Sequence, residues 1–163
     1  MSTIDWTSFT IRIPVRATMK GLYAAWTRAS NLEDWFLRKA SYTGADKKAV
    51  RRTAAIAKGC TFAWEWYNYD GVEKGIVRQA NGKDHVQFTF AGSLVDVRLK
   101  QVGKDVIVEL VQSAIPTDPA SKKNVRLGCH VGWTFWLANL KSVYEGGVNL
   151  RNTNEELTGM VNN

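Results

Sequence analysis

The sequence is poor in the residues that support a disulfide framework or a metal centre. Its 163 residues include only two cysteines, Cys60 and Cys129, and two histidines, His85 and His130. Two cysteines cannot form the disulfide framework of a small secreted fold, and two cysteines with two histidines are too few for an obvious zinc site. The N-terminal segment also lacks the basic region and apolar core of a secretory signal. We therefore expect a cytoplasmic protein with no metal and no other cofactor.

Long apolar runs are missing as well. No uninterrupted stretch approaches the ~18–20 apolar residues that a membrane-spanning helix needs, so no span is predicted. The net charge is +7, from 22 Lys and Arg against 15 Asp and Glu. The basic residues are spread along the chain and do not alternate with aromatic residues, as they do in single-strand nucleic-acid binders. We interpret the charge as a basic, soluble surface, and nucleic acid is not an expected partner.

Aromatic residues, by contrast, are abundant. The chain contains seven Trp, five Tyr and six Phe, while its 45% hydrophobic and 23% charged residues are typical of a globular protein. Large rings supply much buried area, so the core, or a space within it, is expected to be wide. We found no internal repeat and no linker. The prediction is a single domain over residues 1–147, followed by a C-terminal tail, 148–163.

The hydrophobic pattern predicts an α+β fold. Apolar and polar residues alternate from Thr7 to Val15, which indicates a strand, and Thr18 opens a helical stretch. Ser30 and Glu33 have the spacing of a capping box, which predicts the start of a second short helix. The weakly patterned region that follows is expected to hold one short strand and a loop. Five further strands, joined by short turns and therefore antiparallel, are predicted at 61–69, 72–80, 85–90, 94–102 and 106–113.

The last predicted element is one long helix from about Asn124 to Glu145. The glycine pair at 146–147 is a typical helix stop. Cys129, at one end of the apolar face of this helix, is interpreted as a buried and inert thiol. Gly128 and Gly132 are expected to let a neighbouring element, such as the short helices, approach the helix closely.

The order of these elements, together with several short motifs, resembles the START-like (SRPBCC, helix-grip) superfamily. Within it, the chain is similar to the branch related to the activator of the heat-shock-protein-90 ATPase. The motifs that carry the resemblance are Phe9-Thr-Ile-Arg-Ile-Pro14, Leu22-Tyr-Ala-Ala-Trp26, Asn31-Leu-Glu-Asp-Trp-Phe36, Gly59-Cys-Thr-Phe62, Asp70-Gly71 with Gly75, and His130-Val-Gly-Trp133 with Leu137. The resemblance implies a curved antiparallel sheet of about six or seven strands around the C-terminal helix, with two short helices after the first strand. It also implies an apolar cavity between sheet and helix.

Strand alternation and the helix face bring one group of side chains into this space. A cavity for a small hydrophobic ligand is the functional interpretation, and a solid core filled by rings is the alternative. His130 could orient a ligand or transfer a proton, or it could be a partly exposed histidine of the first turn. The predicted ligand-binding residues are Trp35, Phe62, Trp64, Trp66, Phe88, Phe90, Val97, Val108, His130, Trp133, Trp136 and Leu137.

Three functions are compatible with this reading. The leading hypothesis is non-catalytic binding of a lipid-like or polyketide-like molecule. The second is an enzyme of the cyclase or dehydratase type that uses His130 or Glu65, although strand alternation favours a surface position for Glu65. The third is a co-chaperone-like interaction module with a protein partner. Under any of the three, the chain is expected to be a monomer or a homodimer. No nucleophile or phosphate-binding motif is present, so no catalytic residue is assigned.

Overall fold

A seven-stranded antiparallel sheet forms the frame of the protein in the computed structural model, which describes residues 3–161. The strand order is β1-β7-β6-β5-β4-β3-β2. Strands β2 to β7 form a meander, and the last strand, β7, pairs with the first, β1. This confirms the predicted α+β helix-grip sheet. The strands are β1 (Phe9–Val15), β2 (Lys39–Thr43), β3 (Thr61–Glu65), β4 (Val72–Ala80), β5 (His85–Phe90), β6 (Ser93–Val102) and β7 (Asp105–Ser113).

Two short helices follow β1, as predicted: α1 (Met19–Thr27) and α2 (Ala29–Trp35). Thr18 caps α1 by accepting a hydrogen bond from the Gly21 amide. The predicted capping box of α2 is wrong, because the helix begins at Ala29 and no side chain caps it. The Glu33 carboxylate instead accepts a hydrogen bond from the Ala40 amide and pairs with Arg52. The local pattern assigned the Glu33 carboxylate to the start of α2, but this group makes tertiary contacts instead.

The C-terminal helix begins earlier than predicted. It consists of a short turn, α3 (Pro119–Ser121), a π-helical segment (Lys122–Leu127) and α4 (Gly128–Tyr144). The backbone stays helical at both junctions, so the three parts form one rod. Asp118 caps its start by accepting from the Ser121 amide. The predicted stop is confirmed, since Gly146 has a positive φ of 78° after α4 ends.

Interlocked aromatic rings fill the space between the sheet and the helices. Trp26 meets Trp35 edge to face with ring centroids 4.8 Å apart, and Phe36 stacks on Trp35 at 5.1 Å. Gly75 is required in β4 because an added Cβ would lie 2.4 Å from the ring of Phe62 on the neighbouring strand. Most of the interior is therefore a core packed with large rings, which is the alternative that the sequence left open.

The segment after the long helix contacts the short helices. Arg151 donates hydrogen bonds to the carbonyl oxygens of Glu33, Asp34 and Leu37. The buried Asn139 of α4 accepts a hydrogen bond from the Leu150 amide. Residues that follow the predicted domain boundary at 147 are thus hydrogen-bonded to α4 and to the short helices.

Candidate ligand-binding cleft

An open cleft of about 390 Å³ lies between the N-terminal half of α4 and one end of the sheet. The C-terminal ends of β3 and β5, the start of β4 and the end of α2 meet at this place. The lining residues are Phe36, Trp66, Tyr69, Glu73, Phe90, Ala91, Asn124, Gly128, Cys129, Gly132, Trp133 and Trp136.

Aromatic rings that contact one another form the apolar wall of the cleft. Phe36 lies at the centre of this wall, with ring centroids 5.3 Å from Trp136 and 5.5 Å from Trp66. On the other side, Phe90 lies 5.1 Å from Trp133 and 6.3 Å from Trp66. Because each ring is held by at least one other ring, the wall is preformed and its side chains lose little freedom when a ligand binds.

A buried polar chain holds two of these rings in place. The indole Nε1 of Trp133 donates to Oε1 of Gln112 at 2.9 Å, and Nε2 of Gln112 donates to Oγ of Ser93 at 2.7 Å. Ser93 in turn donates to the carbonyl oxygen of Phe90. Gln112 is fully buried. It therefore positions the floor of the cleft and is not free to contact a ligand.

Gly128 and Gly132 leave space along the helical wall of the cleft, because they carry no side chains. An added Cβ at Gly128 would meet only the carbonyl oxygen of Lys123, at an ordinary 3.6 Å. The expected close approach of another element is therefore not found at Gly128. The π-helical hydrogen bond from the Gly128 amide to the same carbonyl belongs to the segment that brings Asn124 into the wall, and such segments are frequent at functional sites.

Glu73 and Cys129 are two of the residues with polar side chains that line the cleft. Oε1 of Glu73 accepts a hydrogen bond of 2.8 Å from the Ala91 amide. Burial raises the pKa of the Cys129 thiol, which a hydrogen bond with Gln112 opposes and the carboxylate of Glu73 reinforces. The thiol therefore remains protonated near pH 7. It is half-buried and lines the cleft, so the prediction of a buried thiol is wrong.

The sequence profile of the family described as "Activator of Hsp90 ATPase homolog 1-like protein" matches residues 16–145. The chain belongs to this family. No protein with a curated function is significantly similar to it in sequence.

Solved structures share the fold of this family member at low sequence identity. A protein from Staphylococcus saprophyticus has a TM-score of 0.69 at 15% identity, covering 88% of this chain and 96% of its own. The Aha1 dimer from Colwellia psychrerythraea has a TM-score of 0.67 at 19% identity, over 86% and 97% of the two chains. A putative protein in the dynemicin biosynthetic locus has a TM-score of 0.69 at 17% identity, over 90% of this chain and 50% of that one. At these identities the similarity shows the fold alone.

Only part of the predicted site lines the cleft. Trp66, Phe90, Trp133 and Trp136 belong to its wall. His130 lies outside it, edge to face against Phe9 with ring centroids 5.1 Å apart. The other predicted residues are buried in the core, either directly behind the wall or deeper in the sheet: Trp35, Phe62, Trp64, Phe88, Val97, Val108 and Leu137.

Several lining residues were not predicted. Phe36 appears in the α2 motif, and the pair Gly128 and Gly132 stands out in a helix, so both signals were visible but were assigned to packing. Glu73, at the start of β4, gave no local signal, because only the tertiary fold brings it opposite α4. Glu65 is confirmed as a surface carboxylate, since it pairs with Arg38 at 2.6 Å.

Within residues 3–161, no group of three or more His, Cys, Asp and Glu side chains could hold a metal ion. Over the same residues, no helix combines the length and the apolar character needed to cross a membrane.

Proposed function

We propose that the chain binds a small, mostly apolar molecule in the cleft between α4 and the end of the sheet, without catalysis. The observation that carries the proposal is a preformed aromatic wall around about 390 Å³ of open space. Small-molecule sites typically enclose about 300–1,000 Å³ and combine apolar walls with a few polar groups. Here Glu73 and Asn124 supply the polar groups.

The position of the cleft limits what the ligand can touch. Val97 and Val108, in the middle of the sheet, are at most 1% exposed and contribute to the packed core. A ligand would therefore contact the rings at one end of the sheet. It would not lie along the full length of the space between sheet and helix.

Binding has more support than catalysis because the two groups considered for proton transfer are elsewhere. His130 packs on Phe9, and Glu65 is engaged with Arg38 outside the cleft wall. A cyclase or dehydratase needs a titrating group within hydrogen-bond reach of the bound substrate. Neither of these two side chains meets that condition in the proposed site. Glu73, the one carboxylate of the cleft, has no His, Lys or Arg beside it among the lining residues.

The test is a titration with N-phenyl-1-naphthylamine, a neutral apolar dye whose fluorescence rises in an apolar environment. We expect saturable binding with about one dye per chain and a change in tryptophan emission. Gly128→Leu should weaken binding, because the new side chain narrows the cleft. Gly is about 0.8–1 kcal/mol less favourable than Ala in a helix interior and Leu ranks close to Ala, so this variant should be at least as stable as the parent.

Ala138→Leu is the matched control. Ala138 is exposed on α4 and does not line the cleft, so its substitution should leave dye binding unchanged. The proposal fails if the native protein does not bind the dye, or if Gly128→Leu binds it as well as the parent does.

A further inference from the structure

The charge in the cleft is opposite to the charge of the protein. The whole chain has a formal net charge of +7, with 22 Lys and Arg. Among the twelve residues that line the cleft there is no Lys, Arg or His, and the carboxylate of Glu73 is the one acidic group. In a basic protein, an apolar cleft with an acid and no base is selective against anions and favourable to cations.

Glu73 retains capacity for a ligand. From the described part of the chain, its carboxylate accepts one hydrogen bond, from the Ala91 amide, whereas a carboxylate has about four acceptor positions. None of the ion pairs found within residues 3–161 includes Glu73. The side chain is half-buried, and reduced exposure to water strengthens its attraction for a positive charge.

Three basic side chains close to the cleft in the sequence contact other groups. In the π-helical segment, Lys122 lies 5.3 Å from the ring centroid of Trp6, and the guanidinium of Arg126 lies 5.1 Å from that of Phe9. Arg38, just after α2, pairs with Glu65. These contacts leave the carboxylate of Glu73 without a cation from any of the three.

The aromatic wall adds a second attraction of the same sign. Indole and phenyl faces attract ammonium groups within about 6 Å, and several rings around one carboxylate form a cage for a cation. Three indoles of the wall contact Phe36: Trp66, Trp133 and Trp136. Tyr69 contacts Trp66 with ring centroids 6.1 Å apart.

Resting on the proposed function, we infer that the ligand of this cleft is an amphiphile with a positively charged nitrogen, an alkylammonium group on an apolar body. The charged head lies next to Glu73 and the aromatic rings, and the apolar body fills the rest of the cleft.

The experiment compares three probes with the same tail: octyltrimethylammonium, 1-octanol and octanoate. Binding to the full chain is measured by tryptophan fluorescence and by isothermal titration calorimetry. We expect octyltrimethylammonium to bind about tenfold more tightly than 1-octanol, and octanoate to bind most weakly. Added salt should weaken the binding of octyltrimethylammonium and leave that of 1-octanol nearly unchanged.

Glu73→Gln isolates the charge, because the amide oxygen can still accept from the Ala91 amide. It should reduce the preference for octyltrimethylammonium over 1-octanol about tenfold while leaving 1-octanol binding within about twofold. Glu109→Gln is the matched control: it removes the same charge from the opposite face of the sheet, where Glu109 pairs with Arg12. This control should keep the preference.

The outcomes separate the two proposals. If 1-octanol binds but octyltrimethylammonium binds no better, or if Glu73→Gln retains the preference, the inference about the cation is wrong and the apolar binding function stands. If none of the probes binds, both are wrong. Should Glu73→Gln fail to fold, the probe comparison and its salt dependence in the parent protein decide the question.

Discussion

The hydrogen bond between Trp133 and Gln112 allows a quantitative test of how the cleft floor is built. Gln112→Leu removes the acceptor of the Trp133 Nε1 and the donor to Ser93, all in the buried interior. An orphaned buried N–H costs about 1–3 kcal/mol, and the lost bond to Ser93 adds about 1 kcal/mol. We expect the free energy of unfolding to fall by about 2–4 kcal/mol, measured by urea denaturation.

A double-mutant cycle assigns this loss to the pair. Trp133→Phe removes the indole donor, so adding Gln112→Leu to it should cost about 1–2 kcal/mol less than in the parent. Gln79→Leu, at an exposed position of β4, is the control and should change stability by no more than about 0.5 kcal/mol. A loss below about 1 kcal/mol for Gln112→Leu, or equal losses in both backgrounds, would refute the reasoning.

Two further predictions concern the core and the thiol. Val108→Phe should destabilise the protein by about 1–3 kcal/mol in urea denaturation, because Val108 is fully buried in a filled core, and a near-neutral effect would reveal unfilled space. Since the folded pKa of Cys129 is raised, the unfolded chain releases the thiol proton more readily, and stability should be lost as the pH rises above the ordinary value of 9.0. Unfolding measured from pH 8 to 10 should show a shallower decline in Cys129→Ala, and an unchanged decline would contradict the raised pKa.

Much of the fold was predictable because it depends on local periodicity. The alternation of β6 and β7, joined by the turn at Gly103, leaves one pairing that buries the apolar side. The start of α2 was mispredicted because Glu33 had two competing partners, the local amide and the more distant Arg52. A motif of four residues contains no information about Arg52, which lies farther along the chain.

The site was less predictable than the fold. Strand alternation correctly placed Phe62 and Trp64 on the inward face. It does not distinguish a ring that lines a cleft from one that packs behind it. That distinction depends on Gly128, whose missing side chain opens the helical wall. The contribution of Glu73 depends on the arrangement of three strands and a helix, which no spacing along the chain encodes.

Chemical-shift mapping by NMR tests most directly whether an apolar molecule occupies this cleft. On titration with 1-octanol, we expect the largest shifts at the indole N–H groups of Trp66 and Trp136 and at the amides of Gly128 and Gly132, which line the cleft. The indole of Trp6, which lies against Lys122 outside the wall, should remain unchanged. Shifts concentrated at Trp6, or absent from both glycines, would contradict the account.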